Sequence, residues 1–217
     1  MRWYGAYLAV AALVAGCGHR AAPEAPAAGG LVQIHPANIA RIAASMPAGY
    51  EVGGTGVSTP AAAWGTPAPT VRPPGCAVLA DPLGTPTGVA RGVSASGPGG
   101  IVYAVATAPA AGPVAPDRRV RTDCGHWNLS QGHTTAQVDL VDAPDVDGAV
   151  TLGMSARIAI VVEGGTETDL HADTFAAYLG SCYVFTAVVT DPGAPHPGLP
   201  GRFAADLLQT AVSVLRG

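Results

Sequence analysis

Lysine is absent from this chain, and all 11 of its basic residues are arginine. Net charge is −4, and the one basic cluster, Arg118, Arg119 and Arg121, is short enough to be a solvated loop. The electrostatic footprint of a nucleic-acid-binding protein is missing, so no nucleic-acid partner is expected. Charged residues make up only 12% of the chain and aromatics 6%, so alanine and the aliphatics must supply most of any core. There are four cysteines and no C-x-x-C pair, which argues against a zinc site or a thioredoxin-type redox motif. No apolar run approaches the ~20 residues that a bilayer-spanning helix needs.

What is present begins at the N-terminus. Arg2 is followed by an uncharged, mostly apolar stretch from Trp3 to Val14, and then by Ala15-Gly16-Cys17. A positive start, a short apolar run and small residues before the cleavage point define a secretory signal peptide. Ending on cysteine, it has the form of a bacterial lipoprotein leader. A plain cleaved leader and an uncleaved anchor are the alternatives. Residues 1–16 are read as the signal peptide and Cys17 as the lipidated new N-terminus. Stable anchoring takes more than one acyl chain, because each buried CH₂ contributes about 0.8 kcal/mol. The Ala/Pro/Gly tract that runs on to Gly30 reads as a tether. The expected location is extracytoplasmic, on the cytoplasmic membrane.

Export makes a disulfide the default expectation. With Cys17 set aside, Cys76 and Cys124 both sit in loop-like contexts and are paired. Cys182 lies in a strand-like run and should pack as a small hydrophobe.

Residues 31–217 read as one domain. Pro36 to Met46 carries Ile39, Ile42, Ala43 and Met46 at helical spacing and is stopped by Pro47. Tyr50 to Val57 reads as a short strand, and 58–86 as an ordered Pro/Gly-rich loop region with a turn of helix at Cys76-Ala-Val-Leu. Strand-like runs follow at Val89–Ser96 and Ile101–Thr107, separated by the turn signal Gly97-Pro98-Gly99-Gly100. Further runs lie at His126–Leu129, Thr134–Val141, Ser155–Val162, Leu170–Leu179 and Cys182–Thr190. From about Pro200 the chain becomes a helix with one apolar stripe through Phe203, Leu207, Leu208, Ala211, Val212 and Leu215. Strands in succession with helices at both ends predict an α+β fold: an antiparallel β-sheet with the N-terminal and C-terminal helices packed on one face.

Three stretches make the domain recognisable: Ala90 to Ala104, Val161 to Thr168 with Thr174 to Leu179, and Val189-Thr-Asp-Pro-Gly193. Together with Cys124-Gly-His-Trp127 they resemble actinobacterial, chiefly mycobacterial, envelope lipoproteins of unknown function that carry a sensor domain. The likeness covers most of 31–217. It is similar, more distantly, to the extracellular sensor domain of the mycobacterial serine/threonine kinase PknH. That relation implies a disulfide-stapled α+β domain with a ligand-sized cleft. It implies no catalytic residue.

The candidate chemistry is sparse. Glu167, Asp169, His171 and Asp173 alternate, so a strand would place them on one face. With Glu163 beside them they could hold a divalent cation, and the plainer reading is a solvated strand face. Asp139, Asp142, Asp145 and Asp147-Gly148 match only part of a calcium loop. Gly92-Val-Ser94-Ala-Ser96-Gly97 is not a nucleophile elbow, because the second glycine is displaced and a hairpin follows. His126, His133 and His171 could meet a serine in space. Trp64 and Trp127 lie near the paired cysteines in sequence, where they would pack over the staple or line a binding cleft.

The expectation is a membrane-anchored envelope lipoprotein, non-enzymatic and without a cofactor. It would bind a small molecule, a lipid or an envelope protein partner. A lipid carrier would show a large apolar cavity, and an envelope hydrolase a serine or metal centre touching histidine.

Overall fold

The computed structural model describes residues 33–84, 88–109, 115–162, 164–192 and 198–217. The expected leader, Cys17 and the tether lie outside the described residues, as does Glu163. No helix among the described residues is long and apolar enough to cross a membrane.

Among the described residues, nine strands form one antiparallel sheet: β1 (Glu51–Gly54), β2 (Thr70–Arg72), β3 (Gly88–Gly97), β4 (Gly100–Pro109), β5 (His126–Gln131), β6 (Thr134–Val141), β7 (Val150–Val161), β8 (Glu167–Leu179) and β9 (Cys182–Thr190). Their order is β1-β3-β4-β9-β8-β7-β6-β5-β2. Local turn chemistry makes the hairpins. Gly99 and Gly100 turn β3 into β4 at φ 95° and 137°, Gly132 turns β5 into β6 at φ 57°, and Gly180 turns β8 into β9 at φ 61°. Gly100 also packs against the Val189 carbonyl so closely that no Cβ would fit.

The α+β class is as expected. The residues read as the N-terminal helix form a 3-10 helix, Pro36–Ser45. At three residues per turn, Ile39 and Ile42 fall in line, and both are buried. The C-terminal helix α4 (Gly201–Arg216) buries Leu207, Leu208, Ala211, Val212 and Leu215 of the expected stripe together with Ala204, and Phe203 is half-buried. These two helices share one face of the sheet with Val102, Phe175, Ala177 and Val184. The other face meets the short helices α1 (Pro60–Ala63) and α2 (Ala77–Ala80), with a second aromatic core of Trp64, Trp127, Tyr178, Tyr183 and Phe185. Covered on both faces, β9 is buried from Cys182 to Val189, which explains why its sequence is apolar apart from Thr186, whose hydroxyl donates to the Ala204 carbonyl at 2.6 Å. Helix α3 (Arg118–Asp123) is capped by the Asp117 carboxylate, which accepts the Val120 N–H at 2.8 Å.

Cys76 and Cys124 are bonded, and Cys182 is free and buried. Burial pushes the Cys182 thiol up to about 11, against a smaller downward pull from the Thr107 backbone. The thiolate is the reactive form, so iodoacetamide at pH 8 should leave native Cys182 unmodified and label it only after denaturation. Labelling of the native protein at the rate of a free peptide cysteine would contradict its burial.

Candidate functional site

The disulfide places one surface feature directly. Cys76 ends a 3-10 turn (Pro74–Cys76) and leads straight into α2, while Cys124 is the C-cap of α3 just before β5. The bridge therefore fixes α2 against the start of β5. Between α2, the Pro67–Val71 segment and the turn at 81–84 lies a groove of about 570 Å³. Its walls are apolar, with Pro67, Pro69, Val71, Val78 and Leu83 among them. Asp81 is the charged side chain in the lining, and it is half-buried. Its Oδ1 accepts the Leu83 and Gly84 N–H groups at 3.1 and 3.2 Å, which fixes the carboxylate. Burial raises the phenol of Tyr183 well above its ordinary value, and the neighbouring Tyr178 and Asp81 add to the rise.

Trp64 and Trp127 do not line this groove. Both are buried in the core with ring centroids 6.1 Å apart. Trp64 donates its indole N–H to Thr174 Oγ1 at 3.0 Å. The cleft reading of the two tryptophans is therefore corrected to a core role. Each ring is a large apolar body next to the staple, and the sheet gains more by covering both than by exposing either.

Glu167, Asp169, His171 and Asp173 do share one face of β8, the face that carries α4. Among the described residues, no group of three or more such side chains is placed to hold a metal ion. Only His171 and Asp173 bond to each other, Nε2 to Oδ1 at 3.0 Å. The strand register adds partners that the sequence could not supply. His126, Asp139, Ser155 and Asp173 stand opposite one another across β5, β6, β7 and β8. Arg72, Asn128, Gln137, Arg157 and His171 make the next row, from β2 to β8. Paired residues in a ladder share a face, so these rows form a polar strip. His126 Nδ1 lies 2.7 Å from Asp139 Oδ1, and Arg157 donates to Asp139 Oδ2 at 3.4 Å.

Ser155 Oγ lies 3.4 Å from His171 Nε2, the contact a hydrolase would need. The connectivity is wrong for proton relay. Serine and aspartate face the same ring nitrogen, whereas a triad orients the imidazole through one nitrogen and activates serine through the other. Ser155 is also mid-strand, between β6 and β8, where neighbouring N–H groups are committed to ladders and cannot form an oxyanion hole.

Asp173 has a structural task. A Cβ on Gly201 would overlap its carboxylate, so Asp173 sits against the first turn of α4, whose N-cap Pro200 supplies no side-chain bond. A carboxylate there complements the helix dipole. Gly→Ala normally stabilises a helix by about 1 kcal/mol. At Gly201 the sign should reverse, with Ala lowering the thermal midpoint by a few degrees as Asp173 is displaced. A raised midpoint would mean that the carboxylate does not hold this end.

The geometry defines a disulfide-stapled α+β domain with a nine-stranded antiparallel sheet and an apolar surface groove. The chain belongs to the DUF5642 family, a domain of unknown function, whose model matches residues 35–216. No curated protein matches the sequence. Among solved structures it is similar to an uncharacterized protein of Mycobacterium smegmatis, an Rv0999 ortholog. Identity is 20%, coverage 85% of this chain and 98% of that one, and TM-score 0.62. It also matches the extracellular domain of PknH from Mycobacterium tuberculosis at 12% identity, covering 83% of this chain and 92% of that one, with TM-score 0.40. The first of these shares the fold, and the family is one of unknown function, as the resemblance read in the sequence implies.

Proposed function

We propose that this protein is a non-catalytic binding domain held outside the cytoplasmic membrane by a lipid on Cys17. Its ligand is an apolar or amphiphilic small molecule seated in the groove beside the disulfide. The groove's apolar walls carry the reading, since a volume of about 570 Å³ lies within the range of about 300–1,000 Å³ typical of small-molecule sites. Among the described residues of the lining, Asp81 supplies the single fixed charge and favours a ligand with a cationic or hydrogen-bond-donating end. The arrangement of Ser155, His171 and Asp173 supports binding over hydrolysis.

Two experiments test the two halves of this reading. Native mass spectrometry of the exported protein should show a bound mass that survives desalting. Val78→Trp, which fills the groove, should abolish it. A bare wild-type protein, or a ligand indifferent to Val78→Trp, would remove the groove from consideration. Separately, Cys17→Ala should move the protein from the membrane fraction to the soluble fraction, and sedimentation unchanged by that substitution would refute the lipid anchor.

A further inference from the structure

The two edges of the sheet are built differently. β2 has three residues and is bracketed by Pro69 and Pro73, a common way of blunting an edge. The opposite edge has a notch. β1 pairs with β3 only from Ser96 to Val93, and its last ladder pair is Gly54 with Val93. β3 continues to Gly88 and pairs there only with β4. The Thr55 N–H donates to the Gly92 carbonyl at 3.2 Å, so the main chain at Gly92 faces the β1 side. Alternation along an antiparallel strand then turns the N–H and C=O of Ala90 outward too. No strand covers Ala90 on that side among the described residues.

The notch is also a pocket. A cavity of about 340 Å³ is lined there by Ala37, Ile39 and Ala40 of the 3-10 helix, with Gly54, Arg91 and Gly92. Val89, which shares a face of β3 with Arg91, is 66% exposed. Arg91 is exposed and has no carboxylate partner among the described residues. An open main-chain donor and acceptor, an apolar side chain, a pocket and an unpaired guanidinium therefore meet at one edge.

We propose that the notch binds an extended segment of a partner protein, added as a strand against Ala90 of β3, with an acidic side chain of that segment paired to Arg91. The main chain of the segment bonds to Ala90, one of its apolar side chains covers Val89, and its carboxylate accepts from the guanidinium. Strand addition of this kind draws affinity from main-chain bonds and specificity from alternate side chains.

The test is selection of short random linear peptides, displayed on phage, against the exported full-length protein. Enriched peptides should share an acidic residue flanked by β-branched ones. Arg91→Gln and Val89→Glu should each weaken a resynthesised peptide by about tenfold or more, with the thermal midpoint unchanged because both side chains are exposed. Methylating alternate amide nitrogens of the peptide should abolish binding. Failure to enrich, or binding indifferent to both variants or to methylation, would overturn the proposal. A wild-type dimer split by Val89→Glu would overturn it as well, and would assign the edge to a second copy of the chain.

Discussion

Replacing Cys76 and Cys124 together by alanine should lower the unfolding free energy by about 4 kcal/mol. The bridge spans a sequence separation of 48 and encloses both β3 and β4, so cutting it frees a long loop in the unfolded chain. The native state loses as well, because both sulfurs are buried in the aromatic core. Helix α2 then loses its covalent hold and the groove loses one wall. Urea unfolding monitored by fluorescence checks the size of the effect, and the same variant should fail to retain a ligand in native mass spectrometry. A loss below about 1 kcal/mol would show that packing alone holds α2 in place. Alanine is the better substitution here, since serine would bury two hydroxyls and add a desolvation cost of its own.

Trp127→Ala should cost about 3–5 kcal/mol, the usual range for removing a buried tryptophan. More telling is the contrast between the two conservative changes. The Trp127 indole N–H is buried without a hydrogen-bond partner among the described residues, so Trp127→Phe removes no bond seen there. Trp64→Phe instead takes away the donor to Thr174 Oγ1 and strands a hydroxyl that is fully buried. Trp64→Phe should therefore be the more destabilising of the pair, by roughly 1–3 kcal/mol. Thermal unfolding of the two variants side by side decides it. The reverse order would place the critical hydrogen bond elsewhere.

Much of the fold could be read along the chain because its signals are local. The glycines at 97–100 and Gly180 announce their hairpins, and the stripe from Phe203 to Leu215 announces α4. What escaped depends on partners distant in sequence. β2 is only Thr70–Arg72 between prolines, and becomes a strand by pairing with β5. β7 begins at Val150 rather than Ser155. Gly153, which weakens the local strand signal, is required there because a Cβ would crowd the Val141 carbonyl. The alternation from Glu167 to Asp173 gave the right face of β8 but not its neighbours. Ser155, Arg157 and Asp139 join His171 and Asp173 only through the register of three strands. The groove escaped for a different reason: its walls come from a Pro-rich stretch that carries no periodic pattern, and the bridge to Cys124, the pairing of β2 with β5 and the Asp81 turn give that stretch a shape.

The place of β9 in the sheet has a consequence for the order of events in folding. β1, β3 and β4 join the rest of the sheet only through the β4–β9 pairing, in which Gly100 meets Thr190. Ribosomal synthesis delivers the N-terminal hairpin long before its partner strand. Until residues 182–190 arrive, that hairpin has an exposed apolar edge and no sheet to join. The rate-limiting search is then for contacts of high sequence separation, which places folding in the milliseconds-to-seconds range of β-rich topologies. Completion is postponed until residues 182–190 have emerged, so the first hairpin waits for most of the domain.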